Sequence, residues 1–174
     1  MDKAKLTAGK HVFINGCTGA VGEAAVQIAR MLGATVSGSC GAAAMERARS
    51  LGMQAVFDYR TTDLSKLGER FDVVYDTAGT MTTKTGLSLL QRNGVFLDID
   101  PTPGKFLRSI FNRRLKPIVC TPRSDILDGL ARAAKERKLR LPVAEIVPFS
   151  EAIPLITALE AGRKLGGKGL VVMD

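Results

Sequence analysis

Two hydrophobic periods alternate along the chain. From Lys10 to about Cys120, short β-branched runs are separated by longer stretches whose apolar residues fall three and four apart, the pattern of βαβ units around a parallel sheet. His11-Val-Phe-Ile-Asn15 predicts a first strand, and Ala20 to Leu32 a helix that stops at Gly33. Val21, Ala25, Ile28, Ala29 and Leu32 share one face of that helix. Ala34 to Gly38 predicts strand two, Ala43 to Leu51 a helix, Ala55 to Asp58 strand three and Phe71 to Thr77 strand four. A helix over Thr83 to Gln91 leads through Gly94 into strand five, Val95 to Ile99. A loop with Pro101, Pro103 and Gly104 precedes strand six, Lys116 to Cys120, and a basic amphipathic helix, Ser124 to Arg137. Val143 to Phe149, Ser150 to Gly162 and Gly169 to Met173 predict a strand, a capped helix and a closing strand. The expectation is one α/β domain with a doubly wound parallel sheet over residues 1–142, and an appended tail over 143–174.

Composition narrows the classes. The 174 residues are 45% hydrophobic and 24% charged, which suffices for one full core and excludes disordered or fibrous structure. Three dispersed cysteines, Cys17, Cys40 and Cys120, and a single histidine argue against a disulfide scaffold and against a metal site. No run of about 18 apolar residues offers a membrane span, and the reading is a cytoplasmic protein. The segment from Lys105 to Arg140 carries eleven bases against three acids and so accounts for the whole formal charge of +8. A solvated helix face with a basic loop explains this as well as an anionic partner does. Phe106 and Phe111 are too few to make base stacking on nucleic acid the favoured use.

The most informative segment is Gly16-Cys-Thr-Gly19-Ala-Val-Gly22, a G-x-x-G-x-x-G pattern directly after a buried strand and at the opening of a helix. Gly16 permits the tight turn, Gly19 allows backbone N–H groups to approach a pyrophosphate, and Gly22 allows helix and strand to pack closely. The helix N-terminus then faces the anion. This is the context of a dinucleotide-binding fingerprint and makes the expected sheet Rossmann-type, with three α/β/α layers. Strand two runs into Ser39-Cys40-Gly41, with no Asp or Glu to accept from an adenosine ribose. NADP(H) is therefore favoured over NAD(H), with Ser39 or backbone N–H groups as donors to a 2′-phosphate and Arg47 or Arg60 as the nearest cations.

These residues resemble the cofactor domain of the medium-chain dehydrogenase/reductase superfamily, in its zinc-free quinone oxidoreductase and enoyl reductase branch. The resemblance is carried by Leu6 to Val12, by Gly16 to Arg30, by Ser50 to Arg60, by Phe71-Asp-Val-Val-Tyr-Asp-Thr-Ala-Gly79, by Leu89 to Gly94 and by Gly166 to Val172. It implies an NADP(H)-dependent, metal-free hydride transfer to a quinone, enone or similar electrophilic alkene. It also implies binding roles. Gly16, Thr18, Gly19, Ala20, Val21 and Gly22 would form the pyrophosphate turn, Ser39, Cys40 and Gly41 the ribose edge, and Tyr59 with Arg60 a wall near the adenine or 2′-phosphate. Thr77, Ala78 and Gly79, with Ile99, Asp100 and Pro101, would border the nicotinamide. In the family a substrate domain precedes the cofactor domain, so the chain reads as a fragment whose substrate contacts lie mostly elsewhere. A homodimer is a further implication. The stretch Gly41-Ala-Ala-Ala-Met45 departs from the family, which often has a basic residue there.

No catalytic acid/base pair stands out, so catalytic residues are left unassigned; hydride transfer needs geometry more than a protein nucleophile. Cys17 is either a thiolate stabilised by a helix N-terminus or a small loop residue. Asp98 and Asp100 would orient a nicotinamide amide or a proton-donating water, or else face solvent at a strand end. His11 reads as exposed or packed at the start of its strand. Two rivals remain: an atypical short-chain reductase, against which the missing Tyr-x-x-x-Lys counts, and a non-catalytic dinucleotide- or RNA-binding module.

Overall fold

In the computed structural model, residues 2–119, 121, 123–163, 165 and 167–173 are described. The chain divides into two compact units, Met1–Leu139 and Arg140–Asp174. Cys120 and Gly166, both used in the sequence reading, lie outside the described residues.

The first unit is built on six parallel strands: β1 (His11–Asn15), β2 (Thr35–Cys40), β3 (Ala55–Asp58), β4 (Phe71–Asp76), β5 (Leu90–Asp98) and β6 (Leu115–Pro117). Their order is β3-β2-β1-β4-β5-β6, a doubly wound sheet whose order reverses between β1 and β4. The β1 run is apolar on both faces because both faces are covered. Val12, Ile14, Val36, Val73 and Leu97 point to one side and pack with Ala25, Val26 and Ala29 of α1 (Ala20–Met31) and Ala48 of α2 (Met45–Ser50). Phe13, Phe71, Val74 and Phe96 belong to the other core, with Leu89 and Leu115. Each fully buried Phe or Leu stabilises the fold by about 2 kcal/mol relative to an exposed one.

Several elements differ from the sequence expectation. Strand two continues to Cys40, which places Ser39 and Cys40 inside the sheet. The third helix, α3 (Thr83–Ser88), is shorter than predicted, and β5 starts at Leu90 because register with Phe71 resumes there before a bulge. Residues expected as a proline loop form a helix, α4 (Pro103–Phe111). The prolines that suggested a loop start it instead: Thr102 is the N-cap, its hydroxyl accepting from the Lys105 amide at 3.4 Å, and Pro103 takes the first helical position, where no N–H is needed. Strand six ends at Pro117, and α5 (Ser124–Lys135) stops two residues early, with Arg137 in a left-handed conformation at φ 57°.

The second unit is a small βαβ element of its own. In it β7 (Val143–Pro148) and β8 (Lys168–Val172) pair in parallel and are joined through α6 (Ala152–Glu160).

His11 at the head of β1 is half-buried, its ring edge-on to Phe71 at 4.6 Å between centroids and its Nε2 3.0 Å from the buried Ser37 hydroxyl. Burial pushes its pKa below the ordinary value, against the opposing charges of Glu69 and Asp72. A histidine depressed in the folded state takes up its proton more readily in the unfolded chain. Its contribution is therefore intact above the unfolded value and is lost as pH falls from about 6.5 through the folded one. Urea midpoints are expected to drop between pH 7.5 and pH 5.5, and His11→Gln is expected to flatten that part of the profile; an unchanged slope in the variant would contradict the assignment.

Candidate functional site

At the carboxyl ends of the strands the sheet interior changes from apolar to polar at a single level. Ser39 of β2 is in register with Asn15 of β1, Asn15 with Asp76 of β4, and Asp76 with Asp98 of β5. All four are buried. The Ser39 hydroxyl donates to Asn15 Oδ1 at 2.7 Å, and Asn15 Nδ2 donates to Asp76 Oδ1 at 2.8 Å and to the Thr80 hydroxyl at 3.1 Å. Asp76 Oδ1 also accepts from the amides of Ala78 and Gly79, at 3.1 and 3.0 Å, and Oδ2 accepts from the Met81 amide at 2.8 Å. One buried carboxylate thus shapes the whole loop after β4, its charge satisfied by directed N–H donors.

The glycine turn closes over this row. Gly16 has φ 78°, a conformation that favours glycine, and a Cβ there would sit 3.0 Å from Cβ of Ala78. The Gly16 and Cys17 amides donate to the Ser39 carbonyl at 2.9 and 3.0 Å, and the Gly19 amide to the Gly16 carbonyl at 3.0 Å. A Cβ on Gly22 would lie 2.1 Å from the Gly16 carbonyl oxygen, so helix and turn meet backbone to backbone. Gly19 is the N-cap of α1 and offers no side chain to its first turn. With Gly19, Ala20 and Val21 exposed, the positive end of a twelve-residue helix is open to an anion.

A cleft of about 550 Å³ lies at the ends of β1, β3 and β4, lined among others by Asn15, Gly16, Tyr59, Leu64, Ala78, Met81 and Thr85. Of the residues predicted from sequence, Gly16, Tyr59 and Ala78 line it. Tyr59 is exposed beside Gly41, with the Arg60 guanidinium 5.7 Å from its ring centroid. Thr77 ties the turn to the β4 loop: its hydroxyl donates to the Asn15 carbonyl at 2.7 Å. Gly79 meets the next strand end, where a Cβ on it would be 3.6 Å from Cβ of Asp100 and 3.8 Å from Ile99. Ile99 and Asp100 thus sit beside the β4 loop, and neither they nor Pro101 line the cleft.

Two expectations need correction, and the alternatives left open for Cys17 and Asp98 narrow. Ser39 is fully buried with its hydroxyl given to Asn15, so that hydroxyl is not a donor to a phosphate. Arg47 pairs with Glu23, a buried acid in the first turn of α1. Cys17 is buried against Cys40, and burial pushes its pKa up, as does the neighbouring thiol, which favours its reading as a small loop residue over a stabilised thiolate. Asp98 faces inward, and the Lys105 ammonium lies 3.0 Å from its Oδ1 and 2.8 Å from its Oδ2. Among the described residues, no group of three or more His, Cys, Asp or Glu side chains is placed to hold a metal.

Sequence reasoning missed Asn15, Asp76, Thr80, Met81 and Lys105. The available signal was a polar residue closing each of three otherwise apolar strands. Asp76→Asn would turn an NH₂ toward an amide donor and is expected to cost about 3 kcal/mol in urea denaturation. Gly22→Ala is expected to abolish folding by circular dichroism, whereas Gly19→Ala, whose Cβ meets only the Gly16 oxygen at 3.3 Å, is expected to fold with wild-type stability to within about 1 kcal/mol.

The family of zinc-binding dehydrogenases matches residues 51–169. The chain is 28% identical over 152 residues to the chloroplast envelope quinone oxidoreductase homolog of Arabidopsis thaliana, covering 82% of this chain and 46% of that protein. It is 31% identical over a 192-residue alignment to a trans-enoyl reductase of Aspergillus terreus, covering 96% of this chain and 52% of that one. Among solved structures, 2-haloacrylate reductase superposes with a TM-score of 0.79 at 27% identity, over 98% of this chain and 59% of the other. The chain spans about half the length of the curated relatives it matches. Sheet order, glycine turn and these likenesses agree: the chain belongs to the medium-chain dehydrogenase/reductase superfamily, among its quinone oxidoreductases and enoyl reductases.

Proposed function

We propose that this chain is the NADP(H)-binding part of an oxidoreductase that transfers hydride to a quinone, enone or similarly activated alkene. The observation that carries the reading is the uncapped N-terminus of α1 at Gly19, set against β1 by the Gly16–Gly22 backbone contact and facing the ends of the central strands. The residues fit a dinucleotide. The α1 terminus supplies N–H donors for a pyrophosphate, the cleft beside Tyr59 has the size and mixed lining of a small-molecule site, and the two loops after β4 and β5 meet at Gly79 and Asp100. When bound, the nicotinamide supplies the hydride. The chain's own part is positional: Asp76 holds Ala78 and Gly79, Thr77 locks that loop to Asn15, and the α1 terminus anchors the anion.

Support for the phosphorylated cofactor comes from the end of β2, where Cys40 and Gly41 place no carboxylate, and from Arg60, the cation beside Tyr59. Asp58, in register with Cys40, turns its carboxylate back onto the Arg60 amide at 3.0 Å. The activated alkene or quinone is suggested by what the relatives' names share, an electron-poor π system, with most substrate contacts expected from the half that this chain does not span. No described helix is long and apolar enough to cross a membrane. The two buried free thiols favour a cytoplasmic setting.

Calorimetric titration of the chain is expected to show binding of NADPH at least roughly tenfold tighter than NADH. Gly19→Asp places a carboxylate at the anion site and is expected to abolish binding while leaving the far-UV spectrum unchanged. Retained affinity in that variant would put the pyrophosphate elsewhere.

A further inference from the structure

Lys105 occupies a place where a cation is disfavoured. It is the third residue of α4, in the first turn, where the helix dipole opposes positive charge. Its side chain is only 16% exposed. It lies against two carboxylates of the preceding strand end: fully buried Asp98, at 3.0 Å from Oδ1 and 2.8 Å from Oδ2, and half-exposed Asp100, at 3.1 Å. Burial works against its charge, but the hydrogen bonds it donates to Asp98 and Asp100, and its attraction to them, outweigh this and hold its pKa above the ordinary lysine value.

The tether is needed because of what adjoins it. Asp98 is in register with Asp76, so two fully buried carboxylates end adjacent strands. Asp76 is surrounded by four N–H donors, whereas among the described residues Asp98 receives only the Asp100 amide, at 3.0 Å from Oδ1, besides the ammonium. Lys105 is what makes a charged Asp98 tolerable beside Asp76. It also closes a short ring, from Asp98 along residues 99–104 and back through its own side chain, which leaves the intervening loop little freedom. That loop contains Ile99 and Asp100, the residues that meet Gly79.

We propose that Lys105 is a positioning residue for the nicotinamide half of the cofactor: by bridging Asp98 and Asp100 it fixes the β5–α4 loop against the β4 loop without itself entering the site. This rests on the proposed dinucleotide binding. In a doubly wound sheet the two halves of a dinucleotide lie on opposite sides of the switch point, and β5 is on the side away from β2 and β3. Loosening its loop is therefore expected to affect one half of the ligand only.

The test compares two ligands on the full 174-residue chain by calorimetry: NADPH, and 2′-phospho-ADP-ribose, which has the adenine half without nicotinamide. If the chain prefers the unphosphorylated cofactor, NADH and ADP-ribose replace them. Lys105→Met is expected to weaken the dinucleotide by roughly tenfold and the fragment by less than about twofold, and Lys105→Arg to restore most of the difference. The double variant Lys105→Met/Asp98→Asn leaves no buried charge without its partner and removes the same tether, so it carries the identical expectation if the single variant does not fold. Parallel losses for both ligands, or no loss for either, would overturn the positioning role alone. Wild-type chain that binds neither ligand would overturn the proposed function and this inference with it.

Discussion

The interaction on which the site depends is the hydrogen bond that Asn15 donates to Asp76, at the switch point of the sheet. A carboxylate at zero exposure is tolerated only where donors converge on it, and here three of the four donors are backbone amides from the five residues that follow. The fourth comes from the neighbouring strand. Satisfying one buried charge therefore sets the path of the β4 loop and its distance from the glycine turn at the same time. Ser39 completes the chain of bonds from the far side, so three strand ends share one polar network on which the cleft rests.

The basic segment changes meaning in this light. Many of its cations are engaged locally: Lys105 with Asp98 and Asp100, Arg114 with the carbonyls of Gln91 and Gly94, Lys116 with the carbonyl of Lys3, Arg123 with Asp125 and Lys138 with Glu136. Part of the charge counted along the sequence thus holds β5, β6 and the α4 N-terminus in place. This is the structural use that a count of charges could not separate from a ligand surface.

The strand-turn-helix at Gly16 to Met31 was legible in sequence because glycine chemistry and apolar periodicity are local properties. The polar row was not, since Asn15 and Asp76 are 61 residues apart and only register brings them together. Ser39 illustrates the same limit: as the end of a strand it read as a surface donor, and two further residues of pairing put it inside. The α4 error had a different source. Pro101, Pro103 and Gly104 are breakers by composition, but Thr102-Pro103 is also a helix start, with a capping hydroxyl followed by a residue that needs no N–H, and composition alone does not separate the two.

The strand order also bears on how the molecule assembles. The stretch β1-α1-β2-α2-β3 is contiguous in sequence, and each of its pairings closes a loop of some 20 residues; β1, however, waits for β4, which enters only after about 60. As the chain leaves a ribosome, the half-sheet from β1 to β3 can form while one face of β1 still presents an unpaired edge and Asn15 has no acceptor on that side. The cleft does not exist at that stage, because its opposite wall belongs to β4 and the loop Asp76 folds. Ligand capture therefore comes after the slowest pairing in the sheet, and a dinucleotide would stabilise the finished fold rather than template its first half.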